Sequence, residues 1–197
     1  GSPFTLALVD HKLRERGLLD RCELIPVGSE KPVTLGDMTF HFFPVCHSII
    51  DGLALGVETP AGRVVHTGDF KIDPKPLDGP GTDLGLFKSF AGKRGAMLLL
   101  SDSTNIEREG RSLSEREVLA NLRSLFAKAT GRIIVTLFSS HIQRIQEVFD
   151  CAAEFDRTVV VGGRSLINNI EMARTLSRLR PPAHLVLDAI AAPSVAD

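Results

Sequence analysis

"RIIVTLFSSHIQRIQEVFDCAAEFDRTVVVGGRSLINNIEMARTLSRL", residues 132–179, alternates two kinds of apolar pattern, and that alternation decides the fold. RIIVTLF (132–138) and TVVVGG (158–163) are short runs rich in β-branched residues, so each predicts a strand. HIQRIQEVFDCAAEF (141–155) and SLINNIEMARTLSRL (165–179) space their apolar residues three and four apart, so each predicts an amphipathic helix. Strand and helix in regular succession imply right-handed βαβ crossovers and a parallel sheet covered by helices. HLVLDAI (184–190) extends the series as a last strand. Upstream, SLSEREVLANLRSLFAKA (112–129) sets Leu119, Leu122, Leu125 and Phe126 on one helical face and offers Ser112 and Glu115 as an S-x-x-E capping pair.

Before residue 104 the chain has a different character. PFTLALVDHKLRERG (3–17) predicts a helix with basic residues late, as the dipole prefers, and a stop at Gly17. CELIPV (22–27), MTFHFFPVC (38–46), LALGVET (53–59) and RVVHT (63–67) are short apolar segments divided by turn residues. TPAG (59–62) joins the last two as a hairpin. PKPLDGPGTDLG (74–85) is dense in proline and glycine and predicts surface loop, while AMLLLSD (96–102) reads as a strand covered on both faces. The expected class is α/β, in two segments, 1–103 and 104–197, with neither an internal repeat nor a low-complexity run.

Composition bounds the function. The 197 residues are 43% hydrophobic, enough for a sizeable core. With 23 basic and 24 acidic side chains the net charge is −1, so any nucleic-acid contact must be local and not a field of the whole chain. Cys22, Cys46 and Cys151 contain no CxxC pair, which argues against a thiolate zinc site or a disulfide framework and suggests buried thiols in a reducing compartment. No apolar run approaches the roughly 20 residues of a membrane span, so the expected location is the cytoplasm, away from membranes.

Polar residues gather at predicted strand ends, the edge where α/β sheets bind ligands. They are His47, Asp69, Asp102 between two serines, Ser139-Ser140-His141, and Gly162-Gly163-Arg164-Ser165. His47 and Asp69 are of the types that hold a metal ion. Each also has an ordinary reading: a hydrogen-bonded core histidine and a turn aspartate. Asp102 fits a helix cap equally well, and Gly-Gly before a helix is a weak anion cradle. His11, His41 and His184 read as structural or surface residues, whereas His66 could support a ligand from behind.

Five stretches, taken together and in order, narrow these choices. PFTLALV, FFPVCHSI with DGLALGVETPAGRVVHTGDFK, LLLSDSTN with SLSEREV, GRIIVTLFSSHIQRIQEV and VVVGGRS resemble the ribonuclease J family over about residues 3–175. That family is a bacterial branch of the metallo-β-lactamase superfamily carrying a β-CASP insert. The resemblance implies part of an αββα metallo-β-lactamase sandwich over 1–103, followed by part of a Rossmann-like β-CASP domain over 104–197. It implies two zinc ions, with His47 and Asp69 as ligands, the aspartate bridging, and catalytic roles for Asp69 and Asp102. Ser139, Ser140 and His141 match a loop that holds a nucleotide, although many members carry asparagine in place of His141. Arg164 and Ser165 are further candidate phosphate contacts.

The implied activity is 5′-to-3′ exonuclease cleavage of single-stranded RNA with some endonuclease capacity, in a cytoplasmic homo-oligomer. The family's His-x-His-x-Asp-His and HxSGH motifs are absent from these residues. The expectation is therefore a segment of a longer protein, inactive when isolated. Two rivals stand beside it: a non-catalytic RNA- or nucleotide-binding remnant, and a hydrolase of the same superfamily acting on DNA or another substrate.

Overall fold

The structure, a computed structural model, describes residues 1–77, 79 and 81–186. The class is mixed α/β, with five α-helices and a mixed sheet among the described residues. The chain forms two compact units, Gly1–His47 with Asp51–Ser112, and Ser48–Ile50 with Leu113–Asp197.

The first unit begins with α1 (Pro3–Glu15), which has Pro3 in its first turn and Lys12 and Arg14 in its last. Five strands follow: β1 (Val33–Leu35), β2 (Met38–Pro44), β3 (Leu53–Thr59), β4 (Gly62–His66) and β5 (Leu98–Leu100), adjacent in that order. The first four form an antiparallel meander, and β5 joins β4 in parallel. A parallel neighbour needs a long crossover. Here it contains α2 (Leu84–Ala91), capped by the Asp83 carboxylate, which accepts from the N–H of Gly85 at 2.7 Å.

Phe90 of α2 joins the core of Phe43, Val45, Ala54 and Val65, with Phe87 and Phe70 packed against it. Phe43 meets Phe87 and Phe90 at centroid distances of 5.2 and 5.5 Å in tilted arrangements. Gly56 makes this packing fit, because a Cβ there would lie 2.8 Å from both the Phe43 and Phe90 rings.

In the second unit α3 (Glu115–Lys128) packs on α4 (Ile142–Glu154), and α5 (Arg164–Thr175) connects β6 (Val159–Val160) to its parallel partner β7 (Leu185–Val186). Phe126, Cys151 and Ala152 form the core, with Leu119, Leu122, Ile133 and Val148 among the residues packed on it.

Several expectations change. CELIPV forms no strand; the strand before β2 is Val33–Leu35, whose two-residue loop Gly36-Asp37 sets Leu35 opposite Met38. The 74–85 region does contain loop, but α2 begins at Leu84, and Phe87 and Phe90 explain it as a helix anchored by burial. The strand expected over 96–102 forms at Leu98–Leu100, but its leucines are 45–61% exposed, so it is not covered on both faces.

Residues 132–138 form no strand: Ile133 reaches the core while Ile134 and Phe138 are 85% and 81% exposed. A strand needs a partner for its backbone, and the described ladder of this unit contains only β6 and β7. The cap of α3 is Ser114 with Glu117, one S-x-x-E frame later than Ser112 with Glu115. Cys22 is exposed, contrary to its expected burial. The last predicted strand is seen at Leu185–Val186, and residues 187–190 lie outside the described residues.

Candidate functional site

Direction of travel assembles the first group of site residues. Since β2 and β4 are each antiparallel to β3, and β5 is parallel to β4, the chain leaves β2, β4 and β5 on one sheet edge. His47, Asp69 and Asp102 follow those three ends. Two threonines tie the exits together. Lys71 N–H donates to Cys46 O at 2.7 Å, and the Thr82 hydroxyl accepts from Cys46 N–H at 2.9 Å while donating to Lys71 O at 2.8 Å. This clamp sets His47 beside Asp69. Thr67, almost wholly buried, accepts from Asp102 N–H at 3.0 Å and donates its own N–H to Leu100 O.

His47 Nε2 and Asp69 Oδ2 stand 3.7 Å apart, with the side chains 30% and 78% exposed. That separation is too long for a hydrogen bond. Two donors bound to one tetrahedral zinc at ordinary bond lengths lie about 3.3 Å apart, so the pair stands somewhat wider than two ligands of one ion. Among the described residues no group of three or more His, Cys, Asp or Glu forms a metal-sized cluster.

The Asp102 carboxylate accepts from Thr104 N–H at 3.0 Å and from the Thr104 hydroxyl at 2.7 Å. These bonds hold its pKa below the usual carboxylate value, with lesser help from Phe70 N–H and His47. His66 Nδ1 accepts from Gly68 N–H at 3.0 Å, in the turn that leads to Asp69.

The second group lies in the other unit. Ser139 and Ser140 form the turn before α4, and His141 caps that helix, its Nδ1 accepting from Arg144 N–H at 3.3 Å. Asn169 of α5 donates to Ser139 O at 2.9 Å and to Ser139 Oγ at 3.2 Å. Arg164 and Ser165 open α5 after Gly163, both exposed. Behind the turn, Arg144 bonds Glu115 of α3 and approaches Glu147 Oε2 at 3.0 Å. Burial pushes Glu147 up to about 7, against the opposing pull of Arg144.

Sequence reasoning missed Thr67, Thr82, Thr104 and Asn169. For Asn169 a signal existed, since it stands four residues after Ser165 and so shares its helical face. For Thr67 and Thr82 there was none, because their partners are 35 and 36 residues away.

Residues 130–197 match the family model described as the β-CASP domain of ribonuclease J. Ribonuclease J of Mycolicibacterium smegmatis is 42% identical over 193 residues, covering 98% of this chain and 34% of that protein. The Synechocystis enzyme is 39% identical over 198 residues, covering 100% and 31%. Ribonuclease J of Helicobacter pylori strain J99 is 36% identical over 190 residues, covering 96% and 27%. The chain thus spans about a third of the length of the curated relatives it matches. A crystal structure of a protein of unknown function from Enterococcus faecalis V583 shares the fold, with a TM-score of 0.61 at 18% identity over 92% of this chain and 45% of that one. Identity of 36–42% along nearly the whole chain, with the β-CASP match inside it, makes these residues similar to a stretch of about a third of the ribonuclease J proteins.

Proposed function

We propose that the whole protein containing this segment is a zinc-dependent ribonuclease that cleaves single-stranded RNA from the 5′ end, with some endonuclease capacity, as a cytoplasmic homo-oligomer. The observation that carries the reading is the convergence of His47 and Asp69, with donor atoms 3.7 Å apart, at the edge where three parallel-running strands end. A bound zinc pair would supply an activated water and neutralise charge on the attacked phosphate. His47 and Asp69 would hold it, the imidazole through Nε2 and the exposed carboxylate through its oxygens. Asp102, kept ionised by Thr104, accepts a hydrogen bond at the same edge and orients a water or a ligand.

The RNA strand is held in the other unit by Ser139, Ser140 and His141, with Arg164 and Ser165 offering a guanidinium and a helix N-terminus to phosphate. Contact through a few polar groups agrees with a net charge of only −1. His47→Ala and Asp69→Asn in the whole protein should each lower RNA cleavage by about a hundredfold or more, without loss of folding by circular dichroism. Undiminished cleavage in both variants would falsify the assignment.

A second reading applies to the 197 residues alone: they bind RNA without turning it over. It is favoured by the lack of a three-ligand cluster among the described residues, since a zinc site ordinarily uses three or four ligands. Elemental analysis of the purified, dialysed chain should find well under one zinc per chain. A content of about two ions would reject this reading.

A further inference from the structure

The contact between α5 and the turn before α4 fixes more than position. Asn169 Nδ2 lies 2.9 Å from the backbone oxygen of Ser139, and a carbonyl oxygen can only accept, so the group facing it is the amide NH2. The same nitrogen reaches Ser139 Oγ at 3.2 Å and therefore donates to it as well. A hydroxyl has one proton and two lone pairs. With one lone pair taken by Asn169, the Ser139 proton and the second lone pair are what the hydroxyl has left for a further partner, and no other partner of that Oγ is seen among the described residues.

Ser139 is half-buried, and the turn is braced from the other side by Phe138 O and His141 N–H at 3.0 Å. We propose that Asn169 is a positioning residue that, by occupying one lone pair of Ser139, leaves the serine proton for donation to an acceptor oxygen of bound RNA. The proposal rests on the reading of Ser139 as an RNA contact. The acceptor is a phosphate oxygen or a base carbonyl, both of which lack a proton and both of which a donor hydroxyl selects.

The test is binding of a fluorescent five-nucleotide oligouridylate, and of an abasic oligomer of the same length, to the purified chain and to four variants: Asn169→Asp, Asn169→Ala, Ser139→Ala and the Asn169→Asp/Ser139→Ala double variant. An aspartate at 169 accepts the serine proton and turns the hydroxyl away from the ligand. Asn169→Asp should weaken binding by about tenfold in the native background and by less than about threefold when Ser139 is already alanine. Asn169→Ala, which leaves the proton free to rotate, should fall between. Equal weakening on the abasic oligomer assigns the acceptor to phosphate, and weakening confined to oligouridylate assigns it to the base.

The same loss in both serine backgrounds would show that Asn169 merely shapes the turn, and would overturn the proposal. No loss from Asn169→Asp, with a clear loss from Ser139→Ala, overturns it too while leaving the RNA contact intact. Full binding by Ser139→Ala removes the RNA contact itself and the proposal with it. Thermal melting of each variant separates these outcomes from unfolding.

Discussion

Gly68 delivers Asp69 to the edge of the sheet, and it does so from the left-handed region, at φ +60°. A Cβ at this position would sit 3.2 Å from Leu53 O, and an L-residue with positive φ carries its own steric cost. Gly68→Ala should therefore cost about 1–2 kcal/mol of stability and displace Asp69 from His47. Urea denaturation reads the first effect, and an unchanged midpoint would show that the turn relaxes freely. Residues such as His47, Asp69, Asp102 and Ser139 were legible in the sequence because each follows an apolar run that ends the predicted element. Their supports were not. Thr82 holds the His47 exit through hydrogen bonds to residues 36 and 11 positions away, and Asn169 holds Ser139 across 30. A hydroxyl or amide carries no local mark of a partner that distant.

At the level of elements, α3 shows how two overlapping signals are resolved. Both Ser112/Glu115 and Ser114/Glu117 satisfy S-x-x-E, but only the second closes reciprocally: Ser114 N–H donates to Glu117 Oε2 at 2.7 Å and Ser114 Oγ accepts from Glu117 N–H at 3.2 Å. Glu115 is thereby released to turn inward and pair with Arg144. Ser114→Ala should cost about 1 kcal/mol and Ser112→Ala almost nothing. Equal effects in a denaturant titration would reject the assigned frame.

The ion cluster beneath α3 predicts a pH dependence. Glu147 of α4 faces Arg144 and Asp150 on its own helix and Glu115 on α3, and burial raises its pKa from 4.5 to about 7. Between these values the folded chain holds a proton that the unfolded chain has released. Stability contributed by the neutral carboxyl is complete below about 4.5 and is lost as the pH rises through about 7. Glu147→Gln should flatten this slope in a series of thermal melts; a slope unchanged by the substitution would remove Glu147 as its source.

Most helices and the β2–β4 meander could be read from period and turn chemistry, since their partners are near in sequence. The strand expected over 96–102 is present at Leu98–Leu100 but is not covered on both faces, and the strand expected over 132–138 does not form, for a shared reason. Apolar content announces that a segment can be buried, whereas its burial and pairing depend on neighbours that local pattern does not specify.

For the molecule as a whole, those two segments leave a consequence. Leu99 of β5 and Met97, which immediately precedes that strand, are each 61% exposed, and Ile134 and Phe138 are the most exposed large apolar residues among those described. Isolated apolar residues at a surface are ordinary, but a row of them along an unpaired strand edge is a template for association. Charge does little to oppose it, with a net of −1 and an isoelectric point near 6.7. The 197-residue chain should therefore self-associate at neutral pH, visible as a weight-average mass that climbs with concentration in sedimentation equilibrium. Added salt should leave the association in place, because the contact is apolar and not ionic. Paired Met97→Lys and Leu99→Lys substitutions place like charges at the start of β5 and within it and should lower the mass toward that of a monomer, with Phe138→Glu acting independently in the other unit. A chain that stays monomeric over about a hundredfold range of concentration would mean that these exposed faces are too small or too divided to bind one another. In that event the edge of β5 and the run 132–138 would have to be treated as tolerated solvent-facing surface.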